Sequence, residues 1–344
     1  MNPRSQGCKC CVRFALTASI LLTFAGPGAP SALAKAGDPP PLDSRSSQAS
    51  EPDRIANLST ATAAYQAATQ HDQIGRIVVP VMVNGSGPYQ FVLDTGATNS
   101  VLTPQLVATL GLQSASAGDV TMNGATGSAV VSSALIERIA AGDVVLEKQQ
   151  LPVANDLVTG VDGVLGVDAL GGKRVMVDFD TGKIEIRDAR HEQPLAGTER
   201  IAAEIRYGGL VVVDAYVNRI RVKAVIDTGS EVTLGNEALH SALYDHAESR
   251  VQKNVIDVVG ETLDLQRAER RMVTALKVGD VHADRFNIVF GDFYIFKLWN
   301  LERQPALVIG MDLISQLNAL VIDYQRHEVQ LRAQISRPER LTRQ

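Results

Sequence analysis

The sequence predicts an all-β protein: two homologous β-barrel lobes in one chain, with few short helices. Two observations carry this expectation. From Gly75 onward, β-branched runs alternate with glycine-bearing turns, and the same stretch holds one long internal repeat. A third observation bounds it, because 344 residues at 45% hydrophobic content suffice for two separate cores.

The chain opens differently. Arg4, Lys9 and Arg13 precede the apolar run "FALTASILLTFAG", which is short for a bilayer span, and Ala32–Ala34 supplies the small residues of a cleavage site. This order predicts a signal peptide over 1–34; the alternative is an uncleaved anchor. The cleaved product is expected to be exported, periplasmic or secreted, with no stable membrane span. Cleavage removes three bases and no acids, so the formal charge moves from −5 to −8. Cys8, Cys10 and Cys11 all lie ahead of the apolar run, whereas a lipoprotein cysteine follows it. The mature chain then has neither disulfide nor thiol nucleophile. An acidic chain without a basic stripe is also no nucleic-acid binder.

Residues 35–50 are Pro- and Ser-rich and read as a linker. The Ala-rich "PDRIANLSTATAAYQAATQ" reads as one helix ending near His71, so that 35–74 is a linker with an accessory helix or a pro-segment lying over a site. "GRIVVPVMVNGSGPYQFVLD" then gives a hairpin. "NGSG" is not a phosphate loop, because a strand follows it where a helix is needed.

Three segments recur in the same order. "YQFVLDTGATNSVLTPQLVATL" (89–110) is echoed by "VKAVIDTGSEVTLGNEALHSAL" (222–243). "RIAAGDVVLEKQQLPVAND" (138–156) is echoed by "TALKVGDVHADRFNIVFGD" (274–292), and "VDGVLGVDALGGKRVMVDFDTGKIEIR" (161–187) by "ALVIGMDLISQLNALVIDYQRHEVQLR" (306–332). Asp94 and Asp227 stand 133 positions apart, Gly166 and Gly310 144. A unit this long reads as duplicated lobes, about 75–190 and 200–335, joined by the polar stretch 187–200.

Each copy pairs Asp-Thr-Gly after an apolar strand with a later apolar-apolar-Gly, "VLG" at 164–166 and "VIG" at 308–310. This resembles the aspartic peptidases of the retropepsin and pepsin type, over most of 75–335. The resemblance implies two catalytic carboxylates, Asp94 and Asp227, one from each lobe. Two carboxylates about 3 Å apart cannot both ionise comfortably, so the pair holds one proton; the charged member activates water and the neutral one polarises the substrate carbonyl. It further implies that Thr95 and Thr228 cross-link the two loops, that Ala97 and Ser230 are small by requirement, and that Gly166 and Gly310 pack under the loops. Gly96 and Gly229 are expected to give conformational freedom for a close turn.

Other residues leave alternatives open. Glu231, where the first copy has Thr98, is either a substrate-binding acid, as the resemblance implies, or a solvated surface acid. Hairpins at 120–131 and 256–265 are flaps over the cleft or ordinary surface hairpins, with Gly124 and Gly127 as flexible points and substrate contacts of the first. Gly166 follows Asp156 by ten positions, but Gly310 follows Asp292 by eighteen. The excess holds the only tryptophan in "FYIFKLWNLER", which serves side-chain recognition or packs between the lobes. Asp168 and Asp312 replace the basic or polar residues of retroviral relatives and read as helix-start acids beside the site.

The six histidines show no metal-ligand spacing and no "GxSxG" is present, so neither metal nor cofactor is expected. The expected activity is a single-chain, monomeric aspartic endopeptidase acting on peptide or protein substrates; the alternative is an exported peptide- or protein-binding module that keeps the fold without the reaction.

Overall fold

The computed structural model describes residues 14–16, 65–68, 70–72, 75–112, 118–154, 160–191, 193–244, 254–260 and 262–333. Strands dominate, and of the five short helices among the described residues only Glu237–Tyr244 exceeds six residues. The all-β expectation holds. No described helix is long and apolar enough to cross a membrane. The expected signal peptide, linker and most of the Ala-rich segment fall outside the described residues, apart from a short strand, Phe14–Leu16, that runs parallel to Val258–Gly260.

The first half is built on the hairpin Ile77–Val83 and Ser86–Leu93; the first strand is buried over most of its length, and the second passes from an exposed start at the turn to the buried Phe91–Leu93. Asn84 and Gly85 form its turn at φ 49° and 80°, the paired left-handed conformation that a two-residue hairpin loop requires. Val101–Leu102, the helix Pro104–Thr109, the hairpin Asp119–Asn123 with Ser128–Ala141, and Val144–Pro152 follow. The chain then threads Gly163–Leu165 between earlier strands, parallel to Phe91–Leu93 and antiparallel to Val101–Leu102.

The second half repeats this order of pairings. Leu210–Val217 pairs with Ile220–Ile226, and after Leu234–Gly235 and the helix comes the hairpin of Val255–Gly260 with Leu265–Val278. After Val281–Phe290, Ala306–Ile309 threads parallel to Lys223–Ile226 and antiparallel to Leu234–Gly235. The eight additional residues form the helix Tyr294–Leu298 and its return, with no counterpart among the described residues of the first half.

A six-stranded antiparallel sheet joins the halves, in the order Glu199–Ala202, Glu328–Ala333, Leu317–Asp323, Lys173–Asp178, Lys183–Asp188, Tyr65–Ala68. Its centre is the pairing of Lys173–Asp178 with Leu317–Asp323 across the halves. Apolar side chains of this sheet and of both halves merge in one core running from Ile77 to Leu331.

Tyr65–Ala68 corrects the helix expectation for this end of the segment. Alanine favours helix by only a few tenths of a kcal/mol per residue over most alternatives. Here the open edge of Lys183–Asp188 takes the chain as a sixth strand, and Gln70–His71 adds to Ile77–Val78. The folded body therefore begins ahead of Gly75.

Candidate active site

Asp94 and Asp227 each cap the end of a strand whose neighbour is the threaded segment. The Asp94 N–H donates to Leu165 O at 3.0 Å and the Asp227 N–H to Ile309 O at 3.1 Å, which fixes both loops on buried backbone. Val167 N–H then donates to Ala97 O and Met311 N–H to Ser230 O, each at 2.8 Å. Gly166 and Gly310 are needed for contact: an added Cβ would lie 2.7–2.8 Å from Asn99 and Ala97 backbone atoms, or 2.6–2.7 Å from those of Val232.

The two Asp-Thr-Gly loops meet. Thr95 and Thr228 exchange bonds, each N–H donating to the other's Oγ1 at 3.1 Å. The Thr95 hydroxyl donates to Ile226 O at 2.8 Å and the Thr228 hydroxyl to Leu93 O at 2.6 Å. In Asp94, Oδ1 accepts from Gly96 N–H at 2.8 Å and Ala97 N–H at 3.0 Å; in Asp227, Oδ1 accepts from Gly229 N–H at 2.9 Å and Ser230 N–H at 3.0 Å. Ser230 turns its hydroxyl back to Val232 O at 2.9 Å.

Gly96 and Gly229 differ from expectation in their reason. Neither takes a left-handed backbone; the constraint is approach, since a Cβ on Gly96 would overlap the Asp227 carboxyl and one on Gly229 the Asp94 carboxyl. The two carboxyls thus face one another across the paired loops, and Asp227 acts on Asp94. Both residues are at most 1% exposed. Burial raises the Asp94 carboxyl to about 6, against the opposing pull of the Gly96 N–H, the Arg76 charge, Asp227 and the Ala97 N–H.

Asp168 and Asp312 begin the short helices Val167–Leu170 and Met311–Ile314, as expected of helix-start acids. Asp168 accepts from Ser100 N–H at 2.9 Å and Ser100 Oγ–H at 2.8 Å; Asp312 accepts from the Thr233 hydroxyl at 2.7 Å. Those hydroxyl oxygens in turn accept from Gly166 N–H and Gly310 N–H. Both carboxyls are raised by burial. Ser100 and Thr233, six positions after their aspartates, are site residues that the sequence reading missed.

Both expected hairpins are present. Their tips touch: Gly260 N–H donates to Thr126 Oγ1 at 3.2 Å, and Gly127 lies against the Asp264 carboxyl. Gly124 N–H donates to Gly127 O at 2.8 Å, and neither glycine has a left-handed backbone. Ala125 is fully buried and packs with Phe293, Ile295 and Trp299, while Ile295 N–H reaches Ala125 O at 3.4 Å. Trp299 thus serves packing, 2% exposed and stacked on Tyr207 at 5.6 Å, and the cluster spans from the second half to the first hairpin.

Glu231 is partly buried, and burial raises its carboxyl against the lowering charge of Arg76. Arg76, paired with Asp72, was also missed. Beneath the dyad Tyr324 is buried, its hydroxyl without a hydrogen-bond partner among the described residues, and burial together with the Asp94 charge raises it.

Residues 79–169 match the family model described as aspartyl protease. The matched stretch holds the Asp94 loop, the first hairpin and Gly166, and it supports hydrolase chemistry of that general kind. No curated protein matches the chain.

Proposed function

We propose that the chain is an aspartic endopeptidase built from two homologous lobes, about 75–190 and 200–335, each supplying one catalytic aspartate. The observation that carries this reading is the reciprocal contact of the two Asp-Thr-Gly loops, with each aspartate's carboxyl held against the glycine of the other loop. Peptide hydrolysis without metal or covalent intermediate needs a base for water and an acid for the carbonyl oxygen, and a pair sharing one proton is both at once. Thr95, Gly96, Thr228, Gly229, Ser230, Gly166 and Gly310 support the loops; Gly124, Gly127 and Glu231 face substrate. Peptide binds extended, through its backbone, after the hairpins part. In this reading 1–34 is a signal peptide, the enzyme acts outside the cytoplasm, and it works as a monomer because both lobes lie in one chain.

The test is cleavage of a mixed peptide library between pH 3 and 8, read by mass spectrometry. Cleavage by the wild type that disappears in Asp94→Asn and in Asp227→Asn supports the reading. Peptide binding without cleavage would establish the binding-module alternative instead.

A further inference from the structure

Arg76 opens the strand Ile77–Val83 and is 1% exposed. A guanidinium does not escape burial by losing its proton, so it needs a fixed counter-charge. Asp72 supplies one from four residues earlier. Arg76 Nε donates to Asp72 Oδ2 at 2.6 Å, Nη2 approaches the same oxygen at 2.6 Å, and the Arg76 N–H donates to Oδ1 at 2.9 Å. The Asp72 N–H returns a bond to Arg76 O at 3.1 Å, and the Asp72 side chain is itself 3% exposed. Strand pairing of Gln70–His71 with Ile77–Val78 closes the turn that holds both residues.

This pair sits beside the dyad: Val78 pairs with Val92 on the antiparallel neighbour, and the register continued two places sets Arg76 across from Asp94. The Arg76 charge bears on Asp94 and on Glu231, and Asp72 acts on Glu231 with the opposite sign. Asp94 is otherwise faced by Asp227 and by the Tyr324 hydroxyl, and Glu231 by Asp312 and Arg270. The repeat offers no second copy, since the position matching Arg76 is Gly209, ahead of Leu210. The charge therefore enters the site from one half alone.

We propose that Asp72 and Arg76 are a positioning pair for the carboxyl dyad: Arg76 sets the charge balance around Asp94 and Glu231, Asp72 anchors and offsets it, and residues 70–72 are a working part of the site. The catalytic consequence rests on the peptidase reading; the electrostatic one does not. On Glu231 the two members act with opposite signs, and Arg76 acts on Asp94; because the two charges form one buried pair, Asp72 is expected to oppose Arg76 at Asp94 as well. Without the Asp72 charge, the pull of Arg76 is less offset and Asp94 gives up its proton more readily. Without Arg76, the Asp72 charge remains beside the dyad and Asp94 keeps its proton to higher pH.

The experiment uses the full chain as wild type, Asp72→Asn, Arg76→Gln and the double variant. Two readouts are taken: ¹³C titration of the aspartate carboxyls, with Asp94→Asn as the assignment control, and the pH profile of peptide cleavage. The Asp94 midpoint is expected to fall by ~0.5 pH unit or more in Asp72→Asn, to rise by a similar amount in Arg76→Gln, and to return near wild type in the double variant. The alkaline limb of cleavage follows the same order. Shifts of the same sign, no shifts, or a double variant displaced as far as a single overturn the proposal. Should a single variant fail to fold, Arg76→Lys decides: the charge is kept, so a wild-type midpoint supports the pair and a displaced one overturns it. Opposed carboxyl shifts in a chain that cleaves nothing would keep the pair and reject the peptidase reading. Cleavage with no opposed shifts would do the reverse.

Discussion

The backbone of Gly229 lies against the carboxyl of Asp94, and the backbone of Gly96 against that of Asp227, so each half holds the other's acid. A methyl group at either glycine overlaps a carboxyl that is hydrogen-bonded on its other side and buried, leaving it nowhere to move. Gly229→Ala and Gly96→Ala are each expected to reduce peptide cleavage by about 100-fold or more, since a displacement of 1 Å suffices for such a loss. Steady-state kinetics on a chain verified as folded checks this; near-wild-type rates would show that the loops have room to part.

The threonine exchange beneath the acids carries stability. Thr95→Val leaves the Ile226 carbonyl and the Thr228 N–H without their buried partner, and Thr228→Val does the same to Leu93 and Thr95. Each is expected to cost about 1–3 kcal/mol in urea unfolding. The double variant should cost less than the two together, because they break one shared network. Strict additivity would contradict the coupling.

Asp94 gives the protein a pH dependence of known sign. Its carboxyl is held at about 6 from an ordinary 3.8, mainly by burial. Between those values the fold keeps a proton that the unfolded chain has released. The stability this supplies is complete below about pH 4 and fades as pH rises through about 6. Thermal melts from pH 4 to 7 should fall more steeply in wild type than in Asp94→Asn, and cleavage should decline across the same upper boundary. Parallel melting curves would contradict the assignment.

The two hairpin tips are unequally held. Ala125 is fully buried under the helix Tyr294–Leu298, whereas Leu263 and Leu265 on the second hairpin are each 63% exposed. Hydrogen exchange should therefore reach 262–265 well before 122–125. Equal rates would show that the aromatic insertion does not restrain the first tip.

Legibility followed locality and repetition. Asp94, Asp227, Gly166 and Gly310 were readable because each occurs twice in register, and the hairpin at Asn84–Gly85 because its turn chemistry is local. The six-stranded sheet was not, since nothing within Lys173–Asp178 or Leu317–Asp323 records that they pair across the halves. Tyr65–Ala68 was misread because alanine content argues for helix while a free strand edge decides otherwise. The Asp72–Arg76 pair was missed because two charges four apart, outside any repeat, look the same whether buried or solvated. For Gly96 and Gly229 the expected reason, conformational freedom, gives way to close approach: sequence shows that a side chain is absent, and only the fold shows which atoms occupy the space.

Comparison of kcat for wild type, Asp94→Asn, Asp227→Asn and the double variant tests the central claim most directly. If the two carboxyls work as one unit with one proton, each single substitution removes nearly all of the rate, about 1,000-fold or more, and the double variant is no slower than the singles. A single variant that keeps a tenth of the wild-type rate, or a double variant that multiplies two partial losses, would show that the aspartates act independently and that the dyad is not the catalyst.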